Sequence, residues 1–235
     1  MLNAAQLART IEHTLLKPEA TPSQIDRLCA EAVRYGFAGV CVNPSYVRHA
    51  AQRITEACRG RPEHETPRIV SVAGFPLGAS LPAVKAEEAL RAIEDGAAEI
   101  DMVIALGALI TGDRAAVRDD IETVARSVHG AGGDKVLKVI LETGVLTAEQ
   151  IILGCQCALE GEADFVKTST GFHPSGGATV EHVRLLHRYA SGMKVKAAGG
   201  IRAAAAALAM IEAGAARLGT STGPAIIEEL SQSDR

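Results

Sequence analysis

Two lysines stand inside apolar, strand-like runs: Lys167 in Asp164-Phe-Val-Lys-Thr-Ser-Thr-Gly-Phe172 and Lys196 in Lys194-Val-Lys-Ala-Ala-Gly-Gly200. Side chains alternate along a strand, so Phe165, Lys167 and Ser169 share one face while Val166 and Thr168 take the other. A lysine on an inner face is costly, because burial disfavours the ammonium and lowers its pKa. An amine that is neutral near pH 7 is a nucleophile for carbonyls and can form a Schiff base. The structural alternative is an edge-strand lysine whose ammonium snorkels to water. Two inward lysines on neighbouring strands, with no carboxylate evident between them in the sequence, would repel each other, and deprotonation of one is the cheapest relief. That favours a catalytic pair over two structural lysines.

A third group completes the set. In Glu99-Ile-Asp-Met-Val103, Asp101 alternates onto one face with Val103 and offers a carboxylate able to shuttle protons or orient water. A salt bridge to an inward lysine is its structural reading, and the two roles are compatible. Lys138 shares a face with Ile140 and Glu142 and is a candidate third inward cation, too far from Glu142 along the strand for a pair to be assumed.

Holding these side chains requires a repeating scaffold. A short amphipathic opening helix over residues 3–9 precedes strands expected at 11–16, 39–43, 68–74, 99–105, 135–142, the Lys167 segment, 194–198 and 217–220. Helices fall between them: one capped by Thr21 and opened by Pro22, one opened by Pro44, one capped by Ser80, then 114–129, 147–160, 179–189, 202–212 and 224–230. Eight strand–helix units with short connections dictate a parallel sheet, and in one domain over residues 1–235 they close into an α/β (β/α)8 TIM barrel with a short N-terminal helix. An open doubly wound sheet is the alternative. Neither G-x-G-x-x-G after the first strand nor G-x-x-x-x-G-K-S/T anywhere is present to support it.

Barrel chemistry gathers at the C-terminal ends of the strands, and phosphate is often held after strands seven and eight. Those ends carry Gly199-Gly200 and Gly219-Thr-Ser-Thr-Gly223, with Ser221 and Thr222 as hydroxyl donors. Thr170 and Gly171, in the turn after the Lys167 strand, join them as substrate-binding candidates. Each glycine pair alone reads as a turn; both at these positions favour a phosphorylated substrate.

Composition narrows the partner. Hydrophobic residues make up 47% of the 235, but no apolar run reaches the roughly 18 of a membrane span and no signal-peptide pattern opens the chain, so a cytoplasmic protein without membrane contact is expected. A net charge of −4 without a basic block gives no reason to expect nucleic acid. Five cysteines are odd in number, and Cys155-Gln-Cys157 is too tight for a CxxC pair, with no histidine pair close by; structural thiols and no metal are expected.

The segments Glu12-His-Thr-Leu-Leu-Lys17, Val40-Cys-Val-Asn-Pro44, Glu99-Ile-Asp-Met-Val-Ile104, Leu137-Lys-Val-Ile-Leu-Glu-Thr143, Phe165-Val-Lys-Thr-Ser-Thr-Gly171, Val195-Lys-Ala-Ala-Gly-Gly-Ile-Arg202 and Leu218-Gly-Thr-Ser-Thr-Gly223 together resemble the deoxyribose-phosphate aldolases, class I aldolases with a (β/α)8 barrel. The resemblance implies reversible cleavage of 2-deoxy-D-ribose 5-phosphate to D-glyceraldehyde 3-phosphate and acetaldehyde, with no metal and no cofactor. Lys167 matches the Schiff-base lysine, Lys196 the lysine that tunes it and Asp101 the carboxylate of the proton relay. The partners implied are a small phosphorylated sugar and aldehydes; oligomeric state is left open, a homodimer being compatible with the sequence. Glu12 stands where the family usually has aspartate, Ala105 where it has asparagine, Ala198 where it often has serine and Thr222 where serine is commoner. Some members end in a tyrosine that approaches the substrate, whereas this chain ends Ser-Asp-Arg. A different Schiff-base aldolase is one alternative. A sugar-phosphate binding barrel that has lost turnover is another, in which the paired lysines would have no purpose.

Overall fold

Alternation along each strand separates an outward set of side chains, packed under helices, from an inward set that meets at the barrel axis. In the computed structural model, which describes residues 2–233, β1 (Ile11–Leu15), β2 (Gly39–Val42), β3 (Arg68–Ala73), β4 (Glu99–Val103), β5 (Val136–Ile140), β6 (Phe165–Lys167), β7 (Lys194–Ala198) and β8 (Arg217–Thr220) form a closed parallel barrel in sequence order. β8 pairs back onto β1 with Glu12 opposite Gly219, so no sheet edge remains. Gly39 is required where β2 meets β3: a Cβ there would lie 2.6 Å from the Arg68 carbonyl oxygen.

The helices are α1 (Ala4–Ala8), α2 (Pro22–Tyr35), α3 (Val47–Ala57), α4 (Pro82–Glu94), α5 (Leu106–Thr111), α6 (Arg114–Gly130), α7 (Ala148–Glu160), α8 (Val180–Tyr189), α9 (Ala204–Glu212) and α10 (Gly223–Ser233). Outward residues Val42, Ile100, Met102, Leu137, Val166, Val195 and Leu218 belong to one large core with the helices, each contributing about 1.5–3 kcal/mol by full burial. A second, smaller apolar cluster of Leu16, Cys41, Val70 and Val72, with Phe75 against it, is separate from that core. No helix among the described residues is long and apolar enough to cross a membrane.

Several local expectations shift. Ser80 does not cap the third long helix: α4 starts at Pro82 with Leu81 in the N-cap position and no side-chain cap, because the proline needs no amide partner at that position. α5 was not expected, six residues being too few to show a helical period. α9 begins at Ala204 rather than at 202, after an extended Ala203, and Glu229 of α10 accepts the Ala204 N–H at 2.8 Å. Residues 234 and 235 lie outside the described residues, and with them the segment compared above with the C-terminal tyrosine of some family members.

The C-terminal end of β4 is held by a buried ion pair. Lys85 of α4 donates to the Val103 carbonyl (2.9 Å) and to Asp120 of α6 (2.7 Å), and the same carboxylate oxygen of Asp120 accepts the Ala105 N–H (2.9 Å). The strand that carries Asp101 is thereby fixed from outside the barrel.

Candidate active site

Register decides which charged residues meet. Ile140 on β5, Lys167 on β6 and Lys196 on β7 are successive partners, so the two lysines lie side by side at one level; Asp101 on β4 is opposite Lys138 on β5. Their side chains converge on Asp101. Its Oδ2 accepts from Lys167 Nζ at 2.7 Å and from Lys196 Nζ at 2.6 Å, and its Oδ1 accepts from Lys138 Nζ at 2.9 Å. A carboxylate therefore does stand between the two lysines, which corrects the expectation of an unrelieved pair. Lys138 is inward as expected, with Glu99 (2.5 Å) and Asp101 as its close partners and Glu12 at 3.5 Å, and Glu142 plays no part in its pairing.

Counting carboxylate partners separates the three lysines. Among the described residues, Lys138 has Glu12, Glu99 and Asp101; Lys196 has Glu12 and Asp101; Lys167 has Asp101 alone. Arg68 reaches Glu99 at 2.8 Å and Arg217 approaches Glu12 at 3.6 Å, so the cluster holds more cations than carboxylates. The lysine with the least compensation is the one that most readily gives up a proton. Burial lowers the Lys167 pKa; the pull of Asp101 opposes this and repulsion from Lys196 adds to it, leaving the amine below its ordinary value. Burial acts on Lys196 and Lys138 too, but their carboxylates outweigh it and both are raised. Burial would raise Asp101, yet Lys138, Lys167 and Lys196 hold it well below the ordinary carboxylate range. The repulsion inferred from sequence exists, but burial is the larger cause.

Beside this charged wall lies the apolar cluster of Leu16, just after β1, Cys41 of β2, and Val70 and Val72 of β3, Val72 being paired with Asp101. The interior is thus polar on one side and apolar on the other, which suits a small molecule with a carbonyl at one end and a methyl or methylene beside it. Two aromatic rings meet across the mouth: Phe75, just after β3, and Phe172, after β6, are edge-to-face with centroids 5.2 Å apart. Glu88 fixes the Phe75 turn by accepting the Gly74 N–H (2.7 Å). A surface hollow of about 720 Å3 lined by Phe75, Leu77, Val84 and Arg91 opens beside that turn and touches none of the interior lysines.

The glycine turns are brought together. A Cβ on Gly177 would lie 2.2 Å from the Gly199 carbonyl oxygen, so the loops after β6 and β7 touch backbone to backbone. Gly171 (φ 80°), Gly199 (φ 92°) and Gly200 (φ 79°) all adopt the left-handed region. Thr220 ties the last two loops by donating to the Ile201 carbonyl (2.7 Å), and its oxygen accepts the Thr222 N–H (3.1 Å). Ser221 is exposed two residues before the first residue of α10, whose N-terminus is positive by its dipole. Glu229 occupies the α9 N-terminus, so the turn before α10 is the better anion cradle of the two. Thr170 is placed differently from the others. Its N–H (3.3 Å) and hydroxyl (2.5 Å) both donate to the buried Glu142 carboxylate, and its oxygen accepts the Phe172 N–H (3.1 Å), so it shapes the turn rather than offering free donors.

Sequence reading did not single out Glu12 or Glu99 as members of the cluster, nor Glu142, nor the Phe75–Phe172 contact. The inward alternation of Glu99 with Asp101 was the available signal for one. Glu142 adopts φ 58°, a strained setting for a non-glycine residue, which no sequence pattern announces. Ser169 follows Lys167 on the same face and its buried hydroxyl lacks a hydrogen-bond partner among the described residues.

Residues 8–229 match the family model described as DeoC/LacD family aldolase. A deoxyribose-phosphate aldolase from Thermococcus gammatolerans is 52% identical over 223 residues, covering 94% of this chain and 95% of the relative. One from Streptococcus pneumoniae is 50% identical over 231 residues, covering 97% and 99%. Among solved structures, the tetrameric deoxyribose phosphate aldolase from Aeropyrum pernix superposes with a TM-score of 0.88 at 31% identity, over 98% of this chain and 93% of that one.

Proposed function

Because this chain belongs to the DeoC/LacD family of aldolases, we propose that it cleaves 2-deoxy-D-ribose 5-phosphate reversibly to D-glyceraldehyde 3-phosphate and acetaldehyde, with Lys167 as the Schiff-base amine. The observation that carries the reading is that Lys167, alone of the three lysines that meet inside the barrel, has a single carboxylate partner among the described residues and a lowered pKa; the buried Lys85, also lowered, is paired with Asp120 between α4 and α6, outside the barrel. Its neutral Nζ adds to C1 of the open-chain aldehyde; loss of water gives an iminium. The iminium draws the electrons of the C2–C3 bond as the C3 hydroxyl gives up its proton, releasing D-glyceraldehyde 3-phosphate and leaving an enamine. Protonation at C2 and hydrolysis then free acetaldehyde and the lysine. Asp101, in contact with both Lys167 and Lys196, is the proton shuttle. Leu16, Cys41, Val70 and Val72 face the two-carbon fragment, while Gly171, Gly199, Gly200, Ser221 and Thr222 surround the phosphate. Thr170 serves that pocket by holding its turn.

A direct assay tests the reading: cleavage of 2-deoxy-D-ribose 5-phosphate, followed by the appearance of both products. Ser221→Glu tests the phosphate end. A carboxylate beside the α10 N-terminus should repel phosphate and fill the cradle, raising KM for the phosphorylated sugar far more than for unphosphorylated deoxyribose. Equal damage to both substrates removes Ser221 from the phosphate site.

The same reading places the enzyme in the cytoplasm, where five buried free thiols stay reduced. Exposed Leu77, Leu81 and Val84 around the start of α4 support pairing of two copies into a homodimer, which a molecular-mass measurement in solution would show or refute.

A further inference from the structure

We propose that Lys138 is a positioning residue of the Schiff-base reaction, acting through Asp101 from a layer below the reacting amine. The inference rests on the reading of Lys167 given above. Lys138 is opposite Phe165, and Ile140 is opposite Lys167. Lys138 is therefore two residues deeper in the barrel than the reacting lysine, about 6–7 Å along the strand direction. It is fully buried, and Phe165 covers it with its ring centroid 5.9 Å from Nζ. At that depth it has no route to substrate.

Its contact is with Asp101, the one carboxylate among the described residues that pairs with Lys167. Asp101 divides its two oxygens: Oδ2 goes to Lys167 and Lys196, and Oδ1 goes to Lys138. A carboxylate already compensated on one edge stabilises a neighbouring ammonium less than a free one does. Lys138 thus limits how strongly Asp101 can keep Lys167 protonated. Glu99 and Glu12 keep Lys138 charged, and Arg68 behind Glu99 completes the chain toward the lower rim. The groups facing this assembly are Glu12 on β1, Cys41 on β2, Arg68 on β3, Glu99 and Asp101 on β4, Lys167 on β6, Lys196 on β7 and Arg217 on β8. None of them duplicates the contact of Lys138 with Oδ1. Lys196 differs in kind, because it stands level with Lys167 and can reach the intermediate.

Two substitutions should move the same quantity in opposite directions. The acid limb of kcat/KM against pH reports the protonation of the essential free-enzyme amine. In Lys138→Met, Asp101 turns its whole charge to Lys167 and Lys196, so the limb should move up by about one unit or more, which is about tenfold lost at neutral pH. Activity should return as pH rises past the new limb. In Glu99→Gln, Lys138 loses its shortest ion contact and gives more of its charge to Asp101, so the limb should move down. Glu99→Gln keeps the side-chain volume and guards against the case in which Lys138→Met fails to fold. A limb unmoved by Glu99→Gln, or unmoved in a folded Lys138→Met whatever its activity, overturns the proposal and leaves Lys138 a structural cation. Acetaldehyde adduct formation at Lys167 in the unsubstituted enzyme is measured alongside; its absence would sink the Schiff-base reading itself, which an unmoved limb would not.

Discussion

Asp101→Asn is expected to lower turnover by about 10²- to 10⁴-fold, the range associated with loss of a positioned acid–base group. Asparagine keeps the shape and one acceptor oxygen but can neither take nor return a proton. Lys138, Lys167 and Lys196 all lose a shared anion, and Lys167, which has no other carboxylate partner among the described residues, should become easier to deprotonate. The amine would still add to an aldehyde, so the adduct should form while turnover stalls at the proton transfers that follow. High pH should give no rescue, because the amine is already neutral. The fold should also weaken, by a few kcal/mol if the buried cations go partly uncompensated. The check is a pair of pH profiles on the same variant, one for adduct formation and one for turnover. Near-normal turnover would remove Asp101 from the relay.

Lys196→Met is expected to fail differently. Methionine keeps the length of the stem and deletes the charge, so Asp101 Oδ2 belongs to Lys167 alone and the neighbouring repulsion disappears. Both changes raise the pKa of Lys167, and each unit costs about 1.4 kcal/mol, or about tenfold in neutral amine at pH 7. Sequence alone suggests a small gain in stability from losing a buried cation. The pairing of Lys196 with Glu12 and Asp101 reverses that expectation: Glu12 is left nearly fully buried with Lys138 at 3.5 Å and Arg217 at 3.6 Å as its remaining cations, and breaking such a pair typically costs about 3–5 kcal/mol. Activity should recover in part as pH rises. If Lys196 is instead the direct proton donor to the intermediate, the adduct recovers with pH and turnover does not. Wild-type activity at neutral pH would exclude both roles.

The barrel was legible because its signals are local. β7 and β8 fall where alternation and glycine turns place them, and the inward faces of β4, β6 and β7 follow from the period of two. That sufficed to bring Lys167, Lys196 and Asp101 to one interior. It could not show that Asp101 lies between the lysines, since that depends on side-chain reach across β5. Nor could it show Glu12 beside Lys196, a contact between residues 184 positions apart that exists only because β8 closes onto β1. The Phe75–Phe172 contact likewise joins loops from opposite sides of the mouth. Ser80 failed as a cap because Pro82 sets the helix start without one. The glycines near 200 look like a helix start in sequence, yet Ala204 opens α9 and Glu229 already fills its N-terminus.

Covalent attachment of an aldehyde at Lys167 can be trapped and located. The enzyme is incubated with acetaldehyde, reduced with borohydride, digested, and the modified peptide identified by mass. Lys167, the least compensated lysine of the cluster and the one whose pKa is lowered, should carry a single ethyl adduct. No adduct, or an adduct on Lys196, Lys138 or a surface lysine instead, would contradict it.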